Sequence, residues 1–119
     1  MTLLAVPNIR VHAVALDEED REYIRRRVRT LFRRYGRVAE RITVRVRDVN
    51  GPRGGVDMVC RIKVVLKRLP SVVVERRARH LKSAVSTALV AAAQAVSQTL
   101  RRRRTRPIRT TRRKRGLAS

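Results

Sequence analysis

Arginine and lysine are the side chains with which this chain could do the most chemistry. It has 31 of them against nine Asp and Glu in 119 residues, a formal net charge of +22. Guanidinium and ammonium groups bind phosphate, and a chain this basic repels itself unless its charge faces a polyanion. Ten of the cations lie in residues 101–115 without an acid, and the other 21 share residues 1–100 with all nine acids. The body is therefore itself cationic, which favours a nucleic acid contacted by both body and tail.

The basic residues that we predict to bind RNA fall into three groups. A solvated surface is the usual alternative, but few acids offset these groups, so nucleic-acid binding is favoured. The predicted strands carry no aromatic side chain on which bases could stack, so recognition of backbone and shape is expected, on structured RNA or DNA. The candidates are Arg21, Arg25, Arg27, Arg29 and Arg33 on a first helix, Arg45, Arg47, Arg61 and Lys63 on strands, and Arg101, Arg102, Arg103 and Arg104 at the end of a second helix.

Catalytic and metal chemistry is poorly supported. His12 and His80 have no Cys or His near them at metal-ligand spacing. Four of the nine acids form one cluster at a helix start, and the other five, scattered among arginines, are expected to form surface pairs. Cys60, the one cysteine, is placed on the core side of its strand as a small hydrophobe. We therefore predict no enzyme, no catalytic residue, no metal site, no cofactor and no small-molecule substrate.

Four short segments carry the period-two alternation of half-buried strands. In the second and third segments the face opposite the apolar one is basic. The turn between them contains Gly51-Pro52-Arg53-Gly54, which matches the loop with which KH domains clamp a nucleic-acid backbone. That loop joins two helices, so a hairpin turn is favoured here. The predicted strands lie at 9–13, 42–47, 58–64 and 72–74.

Two further segments have the spacing of amphipathic helices. Asp17 is predicted to cap the first helix, and Gly36 is predicted to end it. The second helix begins near Arg79, and Pro107 is predicted to end it. Each helix has one apolar stripe, so both must cover the same face of a four-stranded sheet. The sequence thus predicts an α+β fold of order β-α-β-β-β-α.

The chain is predicted to form one folded domain, residues 1–104, with a disordered basic tail, residues 105–119. No hydrophobic run approaches the ~18 residues of a membrane span, and the N-terminus lacks the early positive charge of a signal peptide. The single cysteine excludes an intramolecular disulfide. A cytoplasmic protein is therefore expected.

A set of short residue patterns follows this order of elements from Ile9 to about Leu100. The patterns are Ile9 to Val11, Leu16-Asp17, Tyr23-Ile24, Arg27-Val28, Leu31, Arg34-Tyr35, Ile42 to Val46, Ala84-Val85 and Ala88. In spacing and order they resemble the ribosome hibernation factor family, which comprises the bacterial ribosome-associated translation inhibitors also called hibernation-promoting factors. The resemblance implies a non-catalytic protein that binds small-subunit rRNA in the channel of mRNA and tRNA. By occupying that channel it would block translation in resting cells.

The resemblance also bears on single positions. Arg27 and Arg33 match basic positions of the family, whereas Thr30 between them departs from it. The exposed middle of the second helix departs as well, since the family often has Lys or Arg there. The residues that stand there in this chain are Ala91, Gln94 and Gln98, and the run Arg101–Arg104 with the tail would compensate for them. Long members of the family add a dimerisation domain, and none is expected here.

Two other classes stay open. The first is a general binder of double-stranded RNA, or a basic protein that binds or compacts DNA. The second is an interaction module for another anionic partner, such as a small chaperone-like or membrane-surface protein. The second class is less favoured, because it does not require a folded cationic body.

Overall fold

A computed structural model of the chain describes residues 8–13, 16–49 and 57–113, with side chains up to Arg103. The predicted α+β class and the order β-α-β-β-β-α are confirmed. The predicted turn at 50–55 lies outside the described residues. The elements are strands β1 (Asn8–Ala13), β2 (Ala39–Asp48), β3 (Met58–Leu66) and β4 (Val72–Ala78), helices α1 (Glu18–Phe32) and α2 (Leu81–Arg113), and a short 3₁₀ turn at Arg33–Tyr35.

The strands form one mixed sheet in the order β1-β2-β3-β4. β1 and β2 are parallel neighbours, with Ile9 opposite Ile42, whereas the other two pairs are antiparallel. Parallel neighbours need a crossover connection, and α1 supplies it. β4 continues beyond the predicted 72–74 to Ala78, because Glu75–Arg77 pair with β3 although their side chains lack the apolar alternation that marks a strand.

Both helices pack on one face of the sheet, as predicted. Ile24 and Phe32 of α1 are fully buried with Val85 and Leu89 of α2 against the alternating residues of β2 and β3, such as Ile42. Burying each of these large apolar side chains contributes roughly 1.5–3 kcal/mol. The core is almost wholly aliphatic, and no helix or strand of the described ranges covers the other face of the sheet.

Helix α1 begins as predicted, but it ends in a 3₁₀ turn before Gly36. The N–H of Asp20 donates to the side-chain Oδ1 of the N-cap Asp17 at 2.8 Å, and acids fill the first turn. The α-helical part ends at Phe32, and the 3₁₀ turn then leads to Gly36, whose N–H donates to the carbonyl of Arg33 at 3.2 Å. Such a tightened last turn satisfies carbonyls that the end of a helix leaves open.

Helix α2 is longer than predicted. It begins at Leu81 and its backbone stays helical to Arg113, so the prediction that Pro107 ends it is wrong. A proline inside a helix removes one backbone hydrogen bond and can bend the helix without ending it. The division into a domain, 1–104, and a disordered tail, 105–119, stays a prediction. Within the described ranges, no helix is both long and apolar enough to cross a membrane.

Candidate nucleic-acid interface

The face of the sheet opposite the helices, here called the open face, is cationic. Arg45 of β2 lies directly opposite Arg61 of β3, and Lys63 takes the next outward position along β3. His12 of β1 lies opposite Arg45 on its other side. All four side chains are exposed. The strands thereby bring together residues that are far apart in the sequence, and three of them are predicted RNA-binding residues.

The pair formed by Arg45 and Arg61 is electrostatically unfavourable within the protein. Directly opposite residues have Cβ atoms about 4.5–5.5 Å apart, and like charges there destabilise a sheet. Glu75 of β4 lies opposite Arg61, but its carboxylate is 3.7 Å from the guanidinium of Arg47. Among the described residues, no carboxylate pairs with Arg45 or Arg61. An anion over these two guanidinium groups would relieve their repulsion, as a phosphate does.

Two further basic residues of the open face, Arg47 and Arg77, are paired with carboxylates. Arg47 contacts Glu75, and Arg77 contacts the carboxylate of Asp57 through both Nε and Nη2, at 2.9 and 2.8 Å. These contacts confirm surface pairs for two of the acids that the sequence places among arginines. Exposed pairs contribute only about 0–1 kcal/mol, so Arg47 can exchange its carboxylate for a phosphate.

Among the arginines predicted on α1, Arg21 is half-buried and tied to β1. Its guanidinium donates to the carbonyl oxygens of Val11 at 3.3 Å and Ala13 at 3.0 Å. Both acceptors belong to an edge strand, which otherwise presents unpaired backbone groups. Arg21 thus holds the start of α1 against the end of β1, and sequence spacing alone gives no sign of this contact.

Arg25 and Arg29 are paired along their own helix. Arg25 is 3.7 Å from Glu18 and 3.9 Å from Glu22, and Arg29 is 3.7 Å from Glu22. These pairs confirm the predicted surface pairing of Glu22. Because they are exposed, they weaken the positive field of this part of α1 more than they stabilise the helix.

Arg27 and Arg33 differ from each other in the structure. Arg27 is half-buried, and its Nη2 donates to Ser86 Oγ at 3.4 Å, so it joins α1 to α2. Arg33 is exposed in the 3₁₀ turn, and its side chain forms no hydrogen bond or ion pair within the described ranges. Of the arginines predicted on the first helix, Arg33 is therefore the one best placed to contact an external phosphate.

The end of α2 carries the last predicted group. Arg101, Arg102 and Arg103 are exposed, and the side chain of Arg104 lies outside the described residues. No charged residue lies between Lys82 and Arg101, so the middle of this helix presents a neutral surface. Its exposed residues are Ser83, Thr87, Val90, Gln94 and Gln98.

Sequence reasoning missed Arg10, which is exposed on the open face opposite Thr43. The sequence pattern that could have identified Arg10 is the alternation of Arg10 and His12 with the apolar residues of β1. It also missed Arg37, Lys67 and Arg68, which are exposed in two turns. Turns have no periodicity that predicts which way a side chain faces.

The remaining candidate groups are the cysteine and the two histidines. Cys60 is fully buried, and desolvation raises the pKa of its thiol to about 12, as expected of a small hydrophobe. His12 and His80 are exposed. Within the described part of the chain, no three His, Cys, Asp or Glu side chains are grouped so that they could hold a metal ion.

The fold of this chain matches that of a protein domain whose structure has been solved. The crystal structure of the N-terminal domain of Protein Y from Thermus thermophilus matches this chain with a TM-score of 0.61 at 21% sequence identity. The match covers 76% of this chain and 97% of that domain. No protein-family model matches the chain, and no curated protein does. The similarity shows a shared fold, which agrees with the fold implied by the resemblance to hibernation factors.

Proposed function

We propose that this protein binds small-subunit rRNA through its cationic surface and blocks translation without catalysis, as a ribosome hibernation factor. The observation that carries the proposal is the open face, where Arg45 and Arg61 lie opposite each other with no carboxylate partner among the described residues. The fold supports the same reading, since Protein Y is the ribosome hibernation factor. The proposed site of action is the cytoplasm, where ribosomes work.

The mode of recognition follows from the aromatic residues. The chain has one Phe, two Tyr and no Trp. Phe32 and Tyr35 are buried with their ring centroids 6.1 Å apart, and Tyr23 is half-buried under the ammonium group of Lys82 at 5.0 Å. None of these rings offers an open surface on which a base could stack. Contacts should therefore go to phosphates and to the shape of folded RNA.

The mechanism is occlusion. A cationic face neutralises phosphates and releases their counterions, which gives affinity that falls with salt. Binding of this kind needs no reacting group, and it inhibits because the bound protein occupies space that mRNA and tRNA require. Inhibition should therefore be stoichiometric with ribosomes and reversed by high salt.

The test is sedimentation with ribosomes, combined with a change on the open face. We expect the purified protein to co-sediment with small subunits at ~100 mM salt and to inhibit cell-free translation. Arg45→Gln with Arg61→Gln should shallow the slope of log affinity against log salt by roughly 1–2, using ~0.7–0.9 per phosphate contact. The matched control is Arg76→Gln with Arg79→Gln, which removes the same charge from exposed positions outside the open face.

Three results would contradict the proposal. If the wild-type protein stays at the top of the gradient, ribosome binding is excluded. If it binds RNA and DNA duplexes as tightly as small subunits, the general nucleic-acid binder is the better description. Equal effects of the open-face and control variants would show that the open face is not the contact surface.

A further inference from the structure

We propose that one end of the sheet, formed by residues 33–41 and 67–70 and here called the basic end, makes the main phosphate contacts with RNA. The inference rests on the proposed function and deepens it, because it assigns Arg37, Lys67 and Arg68 to binding and orients the molecule on its target.

The two turns of the basic end form one surface. The N–H of Lys67 donates to the carbonyl of Val38 at 2.8 Å, and the N–H of Val38 donates to the carbonyl of Tyr35 at 3.0 Å. The pairing of Ala39 with Leu66 closes the sheet directly behind them. Segments some 30 positions apart in the sequence are thus joined by backbone hydrogen bonds, which fixes the spacing of the basic side chains that they carry.

The charge of the basic end is almost unopposed. Its acid is Glu40, and its side chains form no ion pair within the described ranges. A cluster of like charges held by backbone hydrogen bonds raises the local potential, which attracts polyanions. The cations are Arg33, Arg34, Arg37, Lys67 and Arg68, all exposed, and the half-buried Arg41.

The opposite end of the sheet, here called the acidic end, holds most of the carboxylates. The acid cluster at 17–20 begins α1 there, Glu22 follows within the next turn, and Asp48 and Asp57 flank the β2–β3 connection. The N–H of Val49 donates to the carbonyl of Asp57 at 3.0 Å, which closes this end. The cations near this end offset its carboxylates, whereas the basic end has almost no acid, so a polyanion is attracted more strongly at the basic end and the molecule should approach RNA in one orientation.

The local structure restrains the backbone of one arginine of the basic end and the side chain of another. Arg68 has φ = 60° and is the one residue other than glycine with positive φ among the described residues. That left-handed conformation favours glycine or asparagine, yet an exposed arginine occupies it at the tip of the β3–β4 turn. The guanidinium of Arg34 lies 5.2 Å from the ring centroid of Tyr35, a cation–π contact that restrains it.

Helix α2 brings the C-terminal arginines to the same end. Lys82 contacts Tyr23 and Ser86 contacts Arg27, so α2 runs alongside α1 in the same direction, from the acidic end to the basic end. α2 has 33 residues and α1 has 15, so α2 continues past the end of α1. Residues 101–103 therefore extend the basic end rather than forming a separate surface.

The experiment compares charge removal at the two ends. Binding of the full-length protein to a fluorescent RNA duplex and to purified small subunits is measured from about 50 to 200 mM salt. Arg37→Gln, Lys67→Gln and Arg68→Asn together should shallow the salt slope by roughly 2–3, using ~0.7–0.9 per contact. The matched control is Arg76→Gln, Arg79→Gln and Lys82→Gln, near the acidic end, and it should change the slope by less than about 1.

Single changes keep the test decisive if the triple variant is unstable. Arg37→Gln and Arg68→Asn lie on exposed turns, and each should shallow the slope by roughly 1, whereas Arg68→Lys should not. Equal losses from the two triple variants, in proteins with unchanged circular dichroism, would overturn the orientation while the proposed RNA binding stands. Absence of wild-type binding to either probe would overturn both.

Discussion

At the scale of single residues, arginines that occupy similar patterns in the sequence make different contacts in the structure. Arg45 and Arg61 face solvent on the open face, whereas Arg21 donates to two backbone carbonyls and Arg27 reaches across to Ser86. Both guanidinium groups are half-buried and held against acceptors of the protein itself, so they are less able to reach an external phosphate. Arg21 and Arg27 should therefore contribute more to the stability of the fold than to RNA binding.

Replacing Arg21 with glutamine should separate these roles. The change removes two charge-assisted hydrogen bonds to the half-buried edge of β1, so we expect the free energy of unfolding to fall by about 1–3 kcal/mol. The salt slope of RNA binding should stay unchanged. Urea denaturation measures the first quantity, and Arg26→Gln, at an exposed position of the same helix, is the control. A shallower slope at unchanged stability would show instead that Arg21 binds RNA.

At the scale of elements, the position of α1 decides where acids and bases lie. Its N-terminus takes the acid cluster, because carboxylates there meet the positive end of the helix dipole and accept from free N–H groups. Its C-terminus passes through the 3₁₀ turn into the basic end. This helix and its N-cap Asp17 therefore supply most of the carboxylates of the acidic end.

Loss of this cap should be measurable without any ligand. Asp17→Ala removes the acceptor of the Asp20 N–H, and we expect a decrease of about 0.5–2 kcal/mol in the free energy of unfolding. Asp17→Asn keeps the acceptor and should lose much less. Thermal denaturation of the three proteins provides the comparison. Equal stability of the alanine variant and the wild type would mean that α1 begins without help from this side chain.

At the scale of the whole molecule, the surface charge is unevenly distributed. The open face and the basic end are cationic, the acidic end is mixed, and the middle of α2 is neutral from Ser83 to Leu100. No described residue beyond Leu100 belongs to the hydrophobic core. The predicted tail, residues 105–119, is therefore expected to add charge for binding without contributing to the fold.

Removal of residues 105–119 tests this division. The deletion takes away six positive charges. If half or more of them contact phosphate, the salt slope should shallow by roughly 2–5. The melting temperature should stay unchanged, and small subunits should still be preferred over an RNA duplex, because shape recognition belongs to the body. An unchanged slope would show that the tail does not contact RNA, and a lower melting temperature would place the domain boundary beyond residue 104.

The sequence by itself determined the features that depend on neighbours along the chain. The order of elements, the cap at Asp17, the apolar stripes of both helices and the core position of Cys60 could all be read from local periodicity and residue type. Charge counts alone indicated a polyanionic partner. The end of α2 could not be read in this way, because the effect of Pro107 depends on whether the helix tolerates one missing hydrogen bond.

Only the tertiary structure decided which charges are available and which way they face. The pairing of Arg45 with Arg61 depends on strand register, and the contact of Arg27 with Ser86 depends on how the two helices lie side by side. The basic end exists because backbone hydrogen bonds join the turns at Val38 and Lys67. These arrangements link residues far apart in the chain, and a periodic pattern shows which face of an element is buried but not which other element lies beside it.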